Sequence, residues 1–354
     1  MKAKSSAVVT STAVARRAGV SRTTVSFVLN NVLDKGISEE TRQRVMAAAA
    51  ELGYAPNAAA RTLASGSTGT VAVVIPKAEH LHVDSFLAQL VASINEECHR
   101  HGLKLLIESS EGGQREPGQF MQLVRSRSID GLIVAHLRSA EHHHLRMLRD
   151  ANIPLVVLGC GLPDTEGFHT MGDDTWASSK LVVKHLLQLG HREIAFVSYA
   201  QPEYDSVRNR ERGWREALAE YGVEVNPAWI TYADISPQSG YVATQKLLAR
   251  GVRFSAIFAG NDSVAFGVLR ALAEAGLRVP QDVAVVGYDD IPLAAFASPP
   301  LTTVHSDPAG QGRQALRGLL SLMQGQKPSS MFCEELPATL VVRASCGTGS
   351  ASRS

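Results

Sequence analysis

Arg22, Thr23, Ser26 and Asn30 are hydrogen-bonding side chains in one short stretch, "RRAGVSRTTVSFVLN". Among them, Val25, Val28 and Leu29 keep the i, i+3, i+4 spacing of a helix that buries one stripe. Such a helix leaves the four polar groups on its other faces, able to donate and accept bonds outside the chain. Upstream, Val14 and Ala15 begin another short apolar face, and Gly19 permits the positive φ of a tight turn. Ser21 suits the N-cap of the second helix, accepting from the backbone near Thr24. Two short helices around a glycine turn match the helix-turn-helix plan, whose second helix enters the DNA major groove. An ordinary αα-hairpin has the same pattern.

Other clusters carry less chemistry. "HHH" at 142–144 could ligate a metal, but consecutive histidines leave a helix on different sides, so a solvated face is expected. "GCG" at 159–161 is too short for a dinucleotide loop, and no G-x-S-x-G elbow, Walker loop or zincin motif occurs. Cys98, Cys160, Cys333 and Cys346 are scattered without a CxxC pair, which suits reduced thiols. No cofactor, no metal and no enzyme activity are expected.

The chain's 354 residues are enough for two or three domains with real cores. No apolar run reaches the roughly 18 residues of a membrane span. The start has no long apolar core with a cleavage site, so a cytoplasmic protein, nucleoid-associated when bound to DNA, is expected. The net charge of +1 conceals an asymmetry. Residues 1–68 hold nine Lys and Arg against four Asp and Glu, and the remainder holds 26 against 30. A basic head on a mildly acidic body fits a nucleic-acid-binding module joined to one that binds none; a solvated basic face accounts for the charge equally well but not for the helix spacing.

The elements that must position these residues follow in order. "ISEETRQRVMAAAAELGYAPN" predicts a third helix, with Ser38 as N-cap, Glu39 and Glu40 in the first turn, and Gly53 as the stop. "PNAAARTLASGSTGT" predicts a two-turn helix from Pro56, too short to persist alone, or a plain linker. From Val71 the texture changes to apolar runs at 71–76, 103–107, 131–135, 154–158, 193–198, 255–260 and 283–290, with helical stretches between them. That alternation predicts two parallel sheets covered on both faces, with ligand loops at the strands' carboxyl ends.

Together these segments resemble the lactose-repressor (LacI) family of bacterial transcription regulators. The matching residues are "VARRAGVSRTTVSFVLN", "ISEETRQRVMAAAAELGYAPNAAARTLASG", "SIDGLIVA", "RNRERGW", "IFAGNDSVAFGVLRAL", "VAVVGYDDIP" and "PPLTTV", in the family's order over roughly 10–343. Ala13, Phe27 and Pro308 depart from the usual pattern, as does the slightly long "NVLDKG". Phe27 stands where arginine is common and cannot make arginine's bidentate bond to guanine. An aromatic at position 308 would stack on a sugar or base, and proline there disfavours a stacked purine.

The resemblance implies an α/β fold: a three-helix helix-turn-helix head at 10–55, a hinge helix and linker at 56–69, and a body at 70–343 like type I periplasmic binding proteins. The body's first lobe would span about 70–170 and 307–335 and its second about 171–306 and 336–343, with a disordered tail at 344–354. It implies DNA contacts from Thr10, Arg22, Thr23, Thr24, Ser26, Phe27 and Asn30, with Arg16 and Arg17 on phosphates. The hinge would add Asn57, Ala60 and Arg61, and Leu63 would wedge into the minor groove, unless it is a buried linker residue. In the cleft between lobes, Arg210, Asn261 and Asp289 would grip a polyol, with Asp84, Ser85 and Phe86 covering it; a structural ion pair would use the same arginine and aspartate. The expected partners are double-stranded operator DNA, a small-molecule effector of the sugar class and a second copy of the chain, with no membrane. A cytoplasmic sugar-binding protein or an α/β enzyme without a DNA role is the competing reading.

Overall fold

The structure, a computed structural model, describes residues 9–30, 35–54, 62, 66–110, 120–136, 138–162, 165–326 and 333–347. The chain divides into two compact units, one ending at Gly69 and one beginning at Thr70.

In the first unit, α1 (Ser11–Ala18), α2 (Arg22–Leu29) and α3 (Glu39–Leu52) enclose a small core of Val14, Ala15, Ala18, Val25, Val28, Val45, Ala48 and Ala49. Gly19 ends α1 at φ 67°, in the left-handed region that side chains avoid. Ser21 caps α2, its Oγ accepting from Thr24 N at 3.0 Å, and Ser38 caps α3 by accepting from Thr41 N at 3.3 Å. Arg17 closes the outside of the bundle on Glu51 at 2.8 Å, an exposed pair that contributes little stability.

The second unit has two sheets. Strands β1 (Thr70–Ile75), β2 (Lys104–Ser109), β3 (Gly131–Val134), β4 (Leu155–Cys160), β5 (His169–Asp174) and β11 (Cys333–Glu335) form a parallel sheet in the order β11-β5-β4-β3-β1-β2. Strands β6 (Ile194–Ser198), β7 (Ile230–Tyr232), β8 (Ala256–Ala259) and β9 (Ala284–Val286) form a second parallel sheet in the order β7-β6-β8-β9. A small antiparallel pair joins β10 (Thr303–His305) to β12 (Thr339–Val341). Their central strands are buried on both faces, and so read as continuous apolar runs.

Helices cover each sheet. The first lobe carries α4 (His80–Val83), α5 (Ser85–Arg100), α6 (Met121–Arg125) and α7 (His142–Asp150). The second carries α8 (Thr175–Gln188), α9 (Asp205–Glu220), α10 (Pro237–Ala249) and α11 (Asp262–Glu274), and α12 (Pro308–Met323) returns to pack on α5. Gly213 lets α9 lie against α8, since a Cβ there would sit 2.5 Å from Trp176 O. The chain passes between the lobe cores three times: between Met171 and Val182, between Val304 and Ala315, and between Glu335 and Leu340.

Several expectations are corrected. Strand β5 carries the first lobe to Asp174, past the break expected near 170, because "HTMGDD" pairs with β4 although its sequence is too polar to read as a strand. At the start of the tail expected to be disordered, 344–346 form a 3-10 turn with Ser345 and Cys346 buried, Ser345 Oγ donating to Val285 O and accepting from Thr302 N; 348–354 lie outside the described residues. Cys160 is disulfide-bonded, against the expectation of reduced thiols, whereas Cys98 and Cys346 are free and buried. His142 leaves the solvated face expected for "HHH": it is buried against Asp205 of the second lobe. No metal-holding cluster of His, Cys, Asp or Glu occurs among the described residues, and no described helix is long and apolar enough to cross a membrane.

Candidate functional site

On α2 the buried stripe is Val25 and Val28, which turns Arg22, Thr23, Ser26 and Asn30 outward, all exposed. Asn30 Nδ2 donates to Ser26 Oγ at 3.3 Å, so these two present one linked polar edge. Thr10, at the N-cap of α1, is exposed. Thr24 differs from its neighbours: half-buried, it shares a hydroxyl bond with Ser21 at 2.9 Å and helps to cap the helix. Phe27 is half-buried, with the Lys35 ammonium 5.9 Å from its ring centre. Asn57, Ala60, Arg61 and Leu63 lie outside the described residues.

In the second unit, the strands' carboxyl ends supply a cavity of about 50 Å³ whose lining includes Phe86, His136, Asp173, Ser206, Arg210 and Gln311. Arg210, in the second turn of α9, is its electrostatic centre. Its guanidinium carbon lies 4.5 Å from the Tyr199 ring centre and 3.7 Å from that of Tyr288. One amino group donates to Gly260 O, and Nη2 lies 3.7 Å from Asp289 Oδ1. Both members of this pair are buried. Arg210 Nε is buried and finds no partner among the described residues.

The acids around Arg210 outnumber it. Asp289 follows β9 with φ 113°, a strained conformation for a side-chain-bearing residue, and such strain gathers at functional sites. Burial pushes its carboxyl well above the usual range, against the pull of Arg210. Burial likewise raises Asp84 to about 6, although its Oδ1 accepts from Phe86 N at 3.0 Å at the start of α5. Asp173 is better satisfied, accepting from the Tyr288 hydroxyl, from Ser306 Oγ at 3.0 Å and from Gln311 Nε2 at 3.2 Å.

The structure therefore brings Phe86, Arg210, Asp84 and Asp289 into one neighbourhood. Ser85 begins α5, with its Oγ accepting from Gln89 at 3.2 Å. Asn261 is largely occupied by local structure, because its Oδ1 accepts from Val264 N at 2.9 Å and caps α11. Pro308 occupies the first turn of α12 and offers no aromatic face. Sequence reasoning missed His136, Asp173, Tyr199, Tyr288 and Gln311. The first four stand at or just past a strand's carboxyl end, the position where open α/β sheets collect ligand-binding groups, and that rule could have found them.

A three-helix head with a capped, outward-facing second helix, and a two-sheet body with a polar cleft, define a helix-turn-helix protein that carries a periplasmic-binding-protein-like module. The model of the lacI family of bacterial regulatory proteins matches residues 12–57, and that of the periplasmic binding protein-like domain matches residues 183–346. The HTH-type transcriptional repressor PurR of Erwinia tasmaniensis is 33% identical over 337 residues, covering 95% of this chain and 96% of that protein. The lac repressor dimer bound to operator and the anti-inducer ONPF superposes with a TM-score of 0.83 at 30% identity, covering 96% of this chain and 99% of that one. The transcriptional regulator CelR in its cellobiose complex superposes with a TM-score of 0.71 at 30% identity, covering 95% and 99%. The chain belongs to the lacI family and is a DNA-binding transcriptional repressor, not an enzyme.

Proposed function

We propose that this repressor is a homodimer controlled by a hydroxyl-rich effector of the sugar class, held in the cleft around Arg210, and that it works in the cytoplasm. The observation that carries the reading is the buried guanidinium at the cavity wall, packed against the Tyr199 and Tyr288 rings, whose Nε has no partner among the described residues. An unsatisfied buried donor costs about 1–3 kcal/mol, and an acceptor on a ligand relieves that cost. Asp289 beside it accepts from hydroxyls, so the pair can hold two adjacent ones. The CelR relative is described in complex with cellobiose, which favours the sugar class. The absence of an aromatic at Pro308 weighs against a stacked purine.

The cavity of about 50 Å³ is far below the roughly 300 Å³ of an ordinary ligand pocket, so in this reading a sugar is accommodated only when the lobes part. In this reading the lobes' spacing biases the hinge at 56–69, with Leu63 as the wedge, by no more than the effector's differential affinity for the two body states. Direct contacts to operator DNA come from Thr10, Arg22, Thr23, Ser26 and Asn30.

The test is a gel shift with DNA upstream of the protein's own gene, repeated with candidate sugars, on wild type and Arg210→Ala. Wild type should change its DNA affinity with one of the sugars. Arg210→Ala should bind DNA as well as wild type and ignore the sugar. A normal response in the variant removes the cleft assignment.

A further inference from the structure

We propose that His136 is a specificity-determining residue of the cleft, one of its ring nitrogens hydrogen-bonding a ligand hydroxyl at the seam between the lobes. The inference rests on reading the cleft as the effector site.

His136 follows β3 in the first lobe and lines the cavity. Its ring meets Tyr199 of the second lobe edge-on, with centroids 6.0 Å apart, so it stands where the two lobes close on each other. Among the described residues neither ring nitrogen has a hydrogen-bond partner, and the cavity wall that the ring shares with Asp173, Ser206, Arg210 and Gln311 is otherwise largely apolar. The backbone at His136 has φ 57°, in the left-handed region. A non-glycine residue is strained there, and the surrounding fold must impose it.

The protonation state fits the role. Burial first, then the charges of Arg210 and His80, push the imidazole down to about 3, so the ring is neutral at physiological pH. A neutral imidazole has an N–H at one ring nitrogen and a lone pair at the other, so it meets a hydroxyl either as donor or as acceptor. An anionic group could use only the ring's N–H, whereas a hydroxyl can use either ring nitrogen. The ligand group expected against His136 is therefore an uncharged hydroxyl.

The test uses the full chain and calorimetric titration with cellobiose, lactose, D-glucose, D-galactose, D-ribose, hypoxanthine and guanine. The best-binding sugar is then repeated as its monodeoxy derivatives. Two variants are compared, because Asn adopts the left-handed region readily whereas Phe keeps the ring without the nitrogens. His136→Asn and His136→Phe should each bind that sugar roughly tenfold more weakly than wild type, the loss expected for a hydrogen bond. One deoxy position should cost wild type a similar factor and cost both variants nothing further. Wild-type affinity in either variant, or an unchanged deoxy penalty in both, overturns the role of His136. Sugar binding that survives Arg210→Ala overturns the cleft reading itself, and binding of none of the probes by wild type counts against both.

Discussion

His142 Nε2 lies 2.5 Å from Asp205 Oδ2, and this buried contact ties the first lobe of the body to the second. It has company. Ser139 N donates to Glu203 O at 3.0 Å, Lys77 Nζ reaches Asp234 Oδ2 at 2.8 Å, and Ser263 Oγ donates to Val83 O at 2.9 Å. His80 chiefly, and then Lys77, hold the Asp234 carboxyl well below the usual carboxylate range. The chain thus closes its cleft with its own bonds, and an effector must compete with them or add to them.

Replacing His142 with Ala removes one partner of the fully buried Asp205 and leaves it to Arg208 and Ser139. The expected loss is on the order of 1–3 kcal/mol of stability, with faster hydrogen exchange at 203–208 and 77–84 in the effector-free protein. Exchange equal to wild type at both segments would mean that this contact does not hold the lobes together.

Arg22 is exposed at the first position of α2, where a bidentate arginine can read guanine. Arg22→Ala should cost about 1–3 kcal/mol on the preferred operator and less on variants at one base position, so preference flattens there. Binding measured across operator variants separates this from a phosphate contact, which weakens every sequence alike.

The second unit exposes Phe296 to 84% and Leu293 to 61% on the 3-10 turn Pro292–Phe296. Apolar groups this large and this bare fit a surface buried between copies of the chain. Phe296→Asp should turn a dimer into a monomer by light scattering at micromolar concentration, and weaken binding to a two-half-site operator more than to a single half-site. An unchanged molar mass would place the dimer contact elsewhere.

Folding raises Asp84 from 3.8 to about 6, through burial. The folded chain therefore binds a proton there that the unfolded chain has released, and Asp84's contribution to stability falls as pH rises through that window. Asn can cap α5 as Asp does but carries no charge. The melting temperature of Asp84→Asn should gain on wild type as pH rises from about 4 to about 6 and hold a constant lead above that. A lead that does not vary over the window would contradict the burial argument.

Much of the head was legible because its signals are local. Gly19, Ser21, Ser38 and Gly53 act within a turn of where they stand, and the stripe of Val25 and Val28 is read from spacing alone. The body's central strands were legible too, since burial on both faces requires apolar residues at every position. The polar strand β5 was not: its place depends on β4 and β11, which flank it. Thr24 and Asn261 read as contacts to outside molecules, yet the Thr24 hydroxyl bonds the capping Ser21 and Asn261 Oδ1 itself caps α11, roles their residue types permit equally well.

The amino-acid sequence by itself determined the order of the apolar strands and helices and the basic head, because periodicity, capping and charge are properties of neighbouring residues. The arginine and aspartate of the cleft were legible only through the family resemblance. Tertiary structure alone decided the rest of the site. Tyr199 and Tyr288 come to pack against Arg210, and His136 comes to meet Tyr199, through strands far apart in the chain. His142 looks like one of three solvated histidines until α7 packs across from Asp205. Parallel crossovers bring distant strand ends to one edge, and burial there fixes the charge, pairing and reach of each group.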